Sequence, residues 1–209
     1  MIKVLIADDH TIVRHGLKQI VDAEPQMTTL GEANNGNEVL ELTRKLPVDV
    51  IVLDITMPGK NGLQTLKELK QEHPSISIIV LSMHPTDQYA VRVLKAGASG
   101  YITKESAPEE LVSAIKKAYR REKYISPEVA ELLAQYIEQE TSSVPHKILS
   151  DREFEVFCLI AKGRNPTQIS DQLCLSVKTI STYRSRILEK TGMKTNAEIT
   201  RYCLENNLI

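Results

Sequence analysis

The first 120 residues alternate between short apolar segments and longer amphipathic ones, which limits the fold more than any other feature of the chain. The apolar segments, of which the second is the weakest, span residues 3–7, 27–33, 48–54, 76–82 and 99–103. Apolar residues at helical spacing follow each of them, at 11–23, 37–46, 62–72, 86–97 and 108–120. Strands that are apolar on both faces are typical of a parallel sheet covered on both sides. The alternation therefore predicts an α/β doubly wound fold with a five-stranded parallel sheet.

The pattern changes after this region. Another helix is predicted at 126–140, and a polar, proline-containing segment follows at 141–147. The remainder shows only helical periodicity, at 151–162, 166–173, 177–191 and 195–206. We therefore expect an α/β domain over residues 1–121, a linker with a helix over 122–147, and an all-α domain of four helices over 148–209.

Composition limits the partners and the compartment. Residues 146–209 hold ten Lys/Arg and seven Asp/Glu, whereas the rest of the chain holds sixteen and twenty, so the two parts are expected to have different partners. Acidic residues directly follow the apolar start "MIKVLIADD", and no apolar run is long enough to span a membrane. We expect a cytoplasmic protein without membrane contact. The three widely spaced cysteines, Cys158, Cys174 and Cys203, are predicted to be buried hydrophobic residues.

Polar side chains stand where the predicted strands end. Asp8 and Asp9 follow the first strand, Asp54 ends the third, Ser82 ends the fourth, and Lys104 follows the fifth. Ligands of parallel α/β sheets bind at the carboxyl ends of the strands. These five side chains are therefore predicted to gather at one edge of the sheet.

The chemistry of this set indicates phosphoryl transfer. Three carboxylates repel one another, and Mg²⁺ is the cation that carboxylates and phosphate oxygens commonly hold. Lys104 supplies a positive charge for a phosphate oxygen, and Ser82 supplies a hydroxyl donor. Asp54 is then a carboxylate nucleophile of the kind that forms an aspartyl-phosphate. A single strand-end aspartate is commonly a solvated cap, but the joint set favours a site.

The helix predicted at 177–191 has two distinct faces. One face is assigned to the core and consists of Ile180, Tyr183, Ile187 and Thr191. The opposite face is small and polar, with Lys178, Ser181, Thr182 and Ser185 at helical spacing. Around it stand the basic residues Arg184, Arg186, Lys190 and Lys194. Such a helix suits a DNA major groove, although composition alone leaves a solvated surface equally open.

Residues 1–121 resemble a response-regulator receiver domain. The matching stretches are "IADDH", "VIVLDITMPGKNGL", "VLSMH" and "KAGASGYITK". The resemblance implies that Asp54 is the phosphoacceptor. It implies that Asp9, Asp54 and the carbonyl of Thr56 bind Mg²⁺, with Asp8 assisting through water. Ser82 and Tyr101 resemble the pair that moves inward on phosphorylation, and Lys104 resembles the lysine that contacts the phosphoryl group. Most receivers have proline after this lysine, and Glu105 stands there instead, which leaves the conformation of that peptide bond open.

Residues 148–209 resemble the LuxR-type helix-turn-helix domain, in "LSDREFEVFCLIAKGRNPTQISDQLCLSVKTISTYRSRILEKTGMKTNAEI". A receiver followed by this domain is the architecture of the NarL/FixJ class of response regulators, and "KTISTYRSRILEKTG" is similar to its GacA/BvgA-type subgroup. The resemblance implies that Ser181, Thr182 and Ser185 read bases, and that Lys178 and Thr179 lie near the DNA backbone. Arg184 and Arg186 are further candidate DNA contacts. Many members carry Lys in place of Ser181 and His in place of Tyr183, which implies a different operator preference.

The resemblance implies a transcriptional regulator controlled by phosphorylation. A sensor histidine kinase is the expected phosphoryl donor, and a homodimer is expected to bind double-stranded DNA with two-fold symmetry. RNA polymerase is a further candidate partner. The apolar stripe of Ile199, Tyr202 and Cys203 is predicted to assist dimerisation, with packing inside its own domain as the open alternative.

Two other functions share parts of this pattern. A phosphatase that turns over through an aspartyl-phosphate also has an Asp nucleophile and Mg²⁺, but it carries a second acid where this chain has Thr56. We therefore expect no enzyme. A phosphorylation-gated module that binds protein or RNA remains the other alternative, and salt-sensitive binding to duplex DNA distinguishes it from a transcriptional regulator.

Overall fold

The computed structural model describes residues 1–83, 88–138, 145–206 and 208–209. The chain divides into two compact units, Met1–Ala134 and Gln135–Ile209. Within the described residues, no helix is long and apolar enough to cross a membrane.

The first unit confirms the predicted α/β fold. Its strands are β1 (Ile2–Ala7), β2 (Met27–Ala33), β3 (Val50–Asp54), β4 (Ser77–Ser82) and β5 (Gly100–Thr103). The helices that follow them are α1 (Thr11–Asp22), α2 (Gly36–Lys45), α3 (Gly62–Glu72), α4 (Gln88–Lys95) and α5 (Ala107–Tyr119). All strands are parallel and lie in the order β2-β1-β3-β4-β5. Strand order thus reverses next to β1, as in other doubly wound sheets.

An apolar layer packs against each face of the sheet. The side chains of β3 alternate between the two layers, with Ile51 and Leu53 in one layer and Val50 and Val52 in the other. Every residue of β3 is buried, which explains why the four residues before Asp54 are all apolar. Because helices cover both faces, the carboxyl edge of the sheet is where polar side chains can meet a ligand.

Several boundaries differ from the sequence prediction. The described part of the helix predicted at 86–97 is α4, and residues 84–87 lie outside the described residues. The helix predicted at 126–140 is α6 (Pro127–Glu138), whose last two predicted residues are also outside them. Pro145–Ile148 forms a 3-10 helix at the end of the predicted linker, of which residues 141–144 are not described. The described residues contain no cis peptide bond, so the bond from Lys104 to Glu105 is trans.

The second unit is helical, as predicted. It contains α7 (Asp151–Ala161), α8 (Pro166–Leu173), α9 (Val177–Thr191) and α10 (Asn196–Glu205). The side chains of Ser150, Asn165 and Ser176 cap the amino ends of α7, α8 and α9 by accepting a backbone N–H. Such caps satisfy donors that have no partner inside a helix, so the polar residues at these positions determine where the helices begin.

The core of the second unit bears on the α10 stripe and corrects one prediction about the cysteines. Ile199 and Cys203 are fully buried, and the Tyr202 hydroxyl lies 2.7 Å from Nδ1 of His146. The buried part of the stripe therefore packs inside its own unit, which was the open alternative, and a role of α10 in dimerisation stays a prediction. Cys158 is buried as predicted, whereas Cys174 is exposed because it occupies the left-handed turn that ends α8.

Candidate functional site

The carboxyl edge of the sheet brings the predicted polar residues together. Asp8 lies just beyond β1, Asp54 is the last residue of β3, and these strands are neighbours in the sheet. Lys104 lies just beyond β5, and its backbone N–H donates to the carbonyl of Ser82 at the end of β4. The strand order thus places residues that are far apart in sequence at one site.

Lys104 is paired with two buried carboxylates. Its Nζ lies 2.7 Å from Oδ2 of Asp8 and 2.9 Å from Oδ2 of Asp54. The side chains of Asp8, Asp54 and Lys104 are 0%, 1% and 7% exposed. Charges removed from water to this extent require a close partner of opposite sign. Lys104 therefore supplies the positive charge that offsets this pair of carboxyl groups.

The protonation of this group reflects opposing effects. Burial raises the pKa of Asp54 to about 6, against the lowering effect of the Lys104 ammonium. The nearby charge of Asp8 adds to the increase. Burial also lowers the pKa of Lys104, but attraction to Asp54 and Asp8 outweighs it and the pKa is raised. At neutral pH the site therefore contains a charged lysine and an Asp54 that is mainly carboxylate.

Asp9 and His10 complete an acidic cluster at this edge. Potential ligand atoms of Asp8, Asp9, His10 and Asp54 all lie within 4.8 Å of one another. Three carboxylates at this spacing are the hard oxygen donors that Mg²⁺ prefers. The residues present therefore fit a divalent cation, with the partly exposed Asp9 on the solvent side of the buried pair.

His10 and Arg14 are site residues that the sequence reasoning missed. Nδ1 of His10 lies 2.8 Å from Oδ1 of Asp9, and its backbone N–H donates to Asp8. The guanidinium of Arg14 donates to the carbonyl of Asp8 at 2.8 Å and pairs with Glu32. His10 adjoins the acidic pair in "IADDH" and could have been suspected from sequence. Arg14 lies one turn into α1, and nothing in the helical pattern indicated its contact.

The loop after Asp54 fixes the orientation of the carboxylate. The backbone N–H of Thr56 donates to Oδ1 of Asp54 at 3.1 Å, while the Thr56 side chain is exposed. Gly62, the first residue of α3, packs against the end of β3. A Cβ there would lie 2.3 Å from the carbonyl oxygen of Asp54 and 2.6 Å from Cα of Ile55. The strand end and α3 therefore approach as closely as they do only because residue 62 is glycine.

Ser82 and Tyr101 occupy the interior. Ser82 is fully buried at the end of β4, and Tyr101, on β5, is 1% exposed. The Tyr101 ring belongs to the same apolar cluster as Ala90 and Val93 of α4. An inward movement of these two residues was expected from the resemblance, but in this structure both already lie inside.

The polar face of α9 is open to solvent. Lys178, Ser181, Thr182, Ser185 and Arg186 are all exposed, whereas Ile180 and Ile187 are buried on the opposite side. The hydroxyls of Ser181, Thr182 and Ser185 each donate to the backbone carbonyl four residues earlier. The oxygen of such a hydroxyl can still accept a bond, so this face can accept as well as donate hydrogen bonds.

Three residues near this face are half-buried, and one of them, Tyr183, differs from the prediction. Arg184 is half-buried, and its Nε donates to the Asn196 side chain at 2.8 Å, so it also holds α9 to the start of α10. Thr179 is half-buried, and its hydroxyl lies 2.8 Å from that of Ser176. Tyr183, assigned to the core, is half-exposed. It lines a surface cavity of about 340 Å³ together with Ser176, Lys178, Thr179, Thr182 and Arg186.

Comparison with protein families identifies both units. Residues 4–116 match the response regulator receiver domain. Residues 147–203 match the bacterial regulatory proteins of the luxR family. The chain belongs to the LuxR-type response regulators. The family expected from the sequence, with its two domains in this order, is confirmed.

Relatives of this response regulator match along its whole length. It is 36% identical to the response regulator GacA of Pseudomonas aeruginosa, over 100% of this chain and 98% of the relative. It is 35% identical to the response regulator UvrY of Escherichia coli, over 100% and 96%. A solved structure of RcsB from Salmonella enterica, bound to promoter P1flhDC in the presence of the phosphomimetic BeF3⁻, is also similar. That structure shares 30% identity and a TM-score of 0.69, covering 96% of this chain and 97% of RcsB.

Proposed function

We propose that this response regulator accepts a phosphoryl group on Asp54 from a sensor histidine kinase, and that the phosphorylated form binds a two-fold DNA operator as a homodimer. The observation that carries the proposal is the buried Asp54 carboxylate beside Lys104, in a chain whose second unit presents the open polar face of α9. Family membership supports the link between the two, because RcsB is described as a two-component response regulator in complex with DNA.

The chemistry at Asp54 is an attack by a carboxylate oxygen on phosphorus. The new bond joins an Oδ of Asp54 to phosphorus, and the bond from phosphorus to the donor's imidazole nitrogen breaks. The imidazole leaves with the electron pair of that bond and takes up a proton. Lys104 lies 2.9 Å from Asp54 and can stabilise the charge on the phosphoryl oxygens, and Ser82 can donate a hydrogen bond to them.

A magnesium ion is proposed at the acidic cluster. Asp9, Asp54 and the carbonyl of Thr56 would hold it, with Asp8 assisting through water. The ion would neutralise part of the charge that the phosphoryl group brings. Hydrolytic turnover is not proposed, because the exposed residue at position 56 is threonine, which cannot act as the second acid of a phosphatase. The chain is therefore proposed to be a regulator without enzymatic turnover.

The DNA-binding role is proposed for the open face of α9. Ser181, Thr182 and Ser185 would contact base edges, while Lys178 and Arg186 would contact phosphates. Thr179 would lie near the backbone of the DNA. The bond from Arg184 to Asn196 makes Arg184 the least independent contact, since it must keep or exchange that partner when DNA binds.

The remaining partners follow from this role. We propose domains at 1–121 and 148–209 with the linker 122–147, close to the two family matches. Contact with RNA polymerase at a promoter and a cytoplasmic location are proposed because operator DNA is the target.

The decisive experiment is intact mass spectrometry after incubation with acetyl phosphate and Mg²⁺, followed by DNA-binding measurements on the same samples. The wild type should gain a single phosphoryl group and bind DNA more tightly, and Asp54→Ala should do neither. Asp22→Asn, which changes an exposed carboxylate on α1, is the matched control and should behave like the wild type. An adduct that persists in Asp54→Ala would contradict the assigned acceptor. An adduct that leaves DNA affinity unchanged would contradict the proposed coupling.

A second experiment tests the α9 contacts. Thr182→Ala and Ser185→Ala should change which operator sequences bind best. Lys178→Ala and Arg186→Ala should weaken binding to all sequences and reduce the salt dependence by about 0.9 per lost phosphate contact. Equal losses on every sequence for the first pair would contradict their assignment as base-reading residues.

A further inference from the structure

The amino edge of the receiver sheet, where β4 and β5 begin, lies opposite the carboxyl edge that holds Asp54. It carries a group of cationic side chains. Nζ of Lys70 donates to the carbonyl of Ile76 at 2.6 Å. The Arg121 guanidinium donates to the carbonyl of Ser75, and the Lys123 ammonium donates to the carbonyl of Ala98. Because Ser75 and Ile76 are neighbours in the chain, these contacts bring the side chains of Lys70 and Arg121 close together. Lys70, Arg121 and Lys123 are called the basal cluster below.

These carbonyls belong to two turns, one before β4 and one before β5, and the two turns lie side by side. The N–H of Ser99 donates to the carbonyl of Ile78, which joins the beginning of β5 to β4. The Lys70 side chain also lies along the second turn, because a Cβ on Gly97 would be 3.4 Å from its Cγ. The basal cluster therefore surrounds one small area at the amino edge of the sheet, away from the carboxyl edge with Asp54.

The charge of the basal cluster is not balanced by carboxylates. Among the described residues, none of its three members forms an ion pair with Asp or Glu. Residues 116–123, "KKAYRREK", hold five Lys/Arg and one Glu. Residues 1–115 hold eleven Lys/Arg and fifteen Asp/Glu, so this short stretch opposes the charge of the rest of the domain. Burial lowers the pKa of Lys70, and the positive charges of Lys123 and Arg121 lower it further.

The backbone at Arg121 is a second, independent observation. Helix α5 ends in two bonds, from the N–H of Arg121 to the Ala118 carbonyl and from the N–H of Glu122 to the Lys117 carbonyl. This motif places Arg121 in the left-handed region, at φ 67°. Helices α4, α7 and α8 end in the same two-bond pattern, with Gly97, Gly163 and Cys174 at this position. Glycine is the residue that this conformation favours.

Arginine at a position that favours glycine points to a use for its side chain. A left-handed non-glycine residue is strained, and such strain concentrates where a side chain is needed for a task. Contact with the carbonyl of Ser75 uses one N–H of a guanidinium that has five. The remaining guanidinium N–H groups and the two ammonium groups can donate to the oxygens of a tetrahedral oxyanion.

We propose that the basal cluster is a binding site for phosphate oxygens, separate from the phosphorylation site and from α9. Its ligand is either a free phosphorylated anion or a phosphate of nucleic acid, and in both cases Arg121 supplies the forked donor while Lys70 and Lys123 supply charge. The site does not depend on the roles proposed for Asp54 and for α9, so its test can fail without affecting them.

Pyrophosphate is the probe for a free anion. The full-length protein is heated with and without pyrophosphate in EDTA, at an ionic strength kept constant with NaCl. EDTA prevents divalent ions from carrying the probe to the carboxylates around Asp54. At ten times its Kd, pyrophosphate should raise the Tm of the wild type by about 3 °C. The amide resonances of residues 75–77, 97–99 and 120–124 should shift in the same titration.

Arg121→Gly is the principal variant, because glycine keeps the left-handed backbone and should fold at least as stably as the wild type. Arg121→Gly and Lys123→Gln should abolish the Tm increase. Lys45→Gln, which removes an exposed lysine on α2, should retain it. The double variant Lys178→Gln/Arg186→Gln should also retain it, which excludes α9 as the site.

The salt dependence of DNA binding tests whether nucleic acid supplies the phosphate. If DNA supplies the phosphate, Arg121→Gly should reduce the slope of log K against log salt by about 0.9, and pyrophosphate should have little effect. Either positive result supports the site and identifies the source of the phosphate. The proposal is overturned if neither occurs, or if pyrophosphate raises the Tm of the wild type and raises that of Arg121→Gly by the same amount.

Discussion

Gly62→Ala tests whether the close approach of α3 to β3 positions Asp54. The added Cβ would lie 2.3 Å from the carbonyl oxygen of Asp54 and 2.6 Å from Cα of Ile55. Both neighbours are backbone atoms, so no side chain can turn away to relieve the overlap. Either α3 or the end of β3 must move. If the end of β3 moves, the carboxylate of Asp54 moves with it.

The expected magnitude comes from two opposing effects. Alanine is better than glycine inside a helix by about 1 kcal/mol, and it gains less at the first helical position. Overpacking costs about 1–3 kcal/mol, and an unrelieved backbone overlap belongs at the upper end of that range. We therefore expect Gly62→Ala to lower the free energy of unfolding by about 1–3 kcal/mol.

Gly16→Ala is the matched control. Gly16 lies inside α1, and a Cβ there would meet no atom within 4 Å. This variant should raise the free energy of unfolding by about 0.5–1 kcal/mol. The same chemical change is thus predicted to have opposite signs at the two positions.

Urea denaturation measures the stabilities, and the rate of phosphoryl incorporation from acetyl phosphate measures the site. A misplacement of about 1 Å can slow a reaction up to about a hundredfold, so Gly62→Ala should be phosphorylated at least several times more slowly. Gly16→Ala should react at the rate of the wild type. If Gly62→Ala keeps both stability and rate, the close approach is not what positions Asp54.

Three further predictions test separate contacts. Lys104→Gln should raise the pKa of Asp54 above about 6, because the lysine charge opposes the effect of burial. An NMR titration of the Asp54 carboxyl carbon in EDTA measures this pKa, and a result without an increase would contradict the pairing. Glu153→Gln keeps a capping side chain but loses the charge that attracts Lys190 at 2.7 Å, so it should lower stability by about 0.5–1 kcal/mol at pH 7. Burial raises the pKa of Glu153, but bonds from Lys190 and from the cap outweigh it and the pKa is lowered. The stabilisation is therefore present above the ordinary glutamate pKa. The difference in the free energy of unfolding between Glu153→Gln and the wild type should vanish as the pH falls through the lowered pKa. A difference that stays constant with pH would refute the charge argument. Cys174→Gly should raise the free energy of unfolding by about 1 kcal/mol, because it relieves the left-handed backbone at φ 52°, and a loss of stability in urea would show that the thiol has another role.

The sheet and its edge were predictable because they depend on local pattern and on one topological rule. Helix α3 begins and ends as predicted, since Asn61 caps it and the apolar period of 62–72 is regular. The meeting of Asp54 with Lys104 follows from parallel strands ending at one edge. The same rule placed Asp8 at this edge, but its direct pairing with Lys104 depends on the order of the strands in the sheet, which no local signal gives.

The face of α9 was predictable only in part. Ile180 and Ile187 lie at the centre of the apolar stripe and are buried as expected. Tyr183 lies at its edge, where burial depends on which neighbouring helix covers it, and periodicity does not contain that information. Arg184 stays a predicted DNA contact, but its Nε also donates to Asn196 on the next helix. Contacts between helices of this kind are not contained in the periodicity of one helix.

The resting charge balance suggests how phosphorylation can act on the receiver fold. One buried lysine holds two buried carboxylates, and a phosphoryl group on Asp54 would replace one negative charge with about two. Lys104 contacts Asp8 and Asp54 together in this structure, so a stronger negative charge on Asp54 should draw it away from Asp8. Lys104 directly follows β5, whose Tyr101 belongs to the same apolar cluster as Ala90 and Val93 of α4. We infer that the charge change is transmitted along β5 to α4, because Tyr101 is closely packed and cannot stay fixed while the end of its strand shifts. Tyr101→Ala should therefore leave phosphorylation intact and weaken its effect on DNA affinity, whereas Tyr119→Ala, on the exposed end of α5, should preserve that effect. A Tyr101→Ala variant that responds fully to phosphorylation would exclude this route.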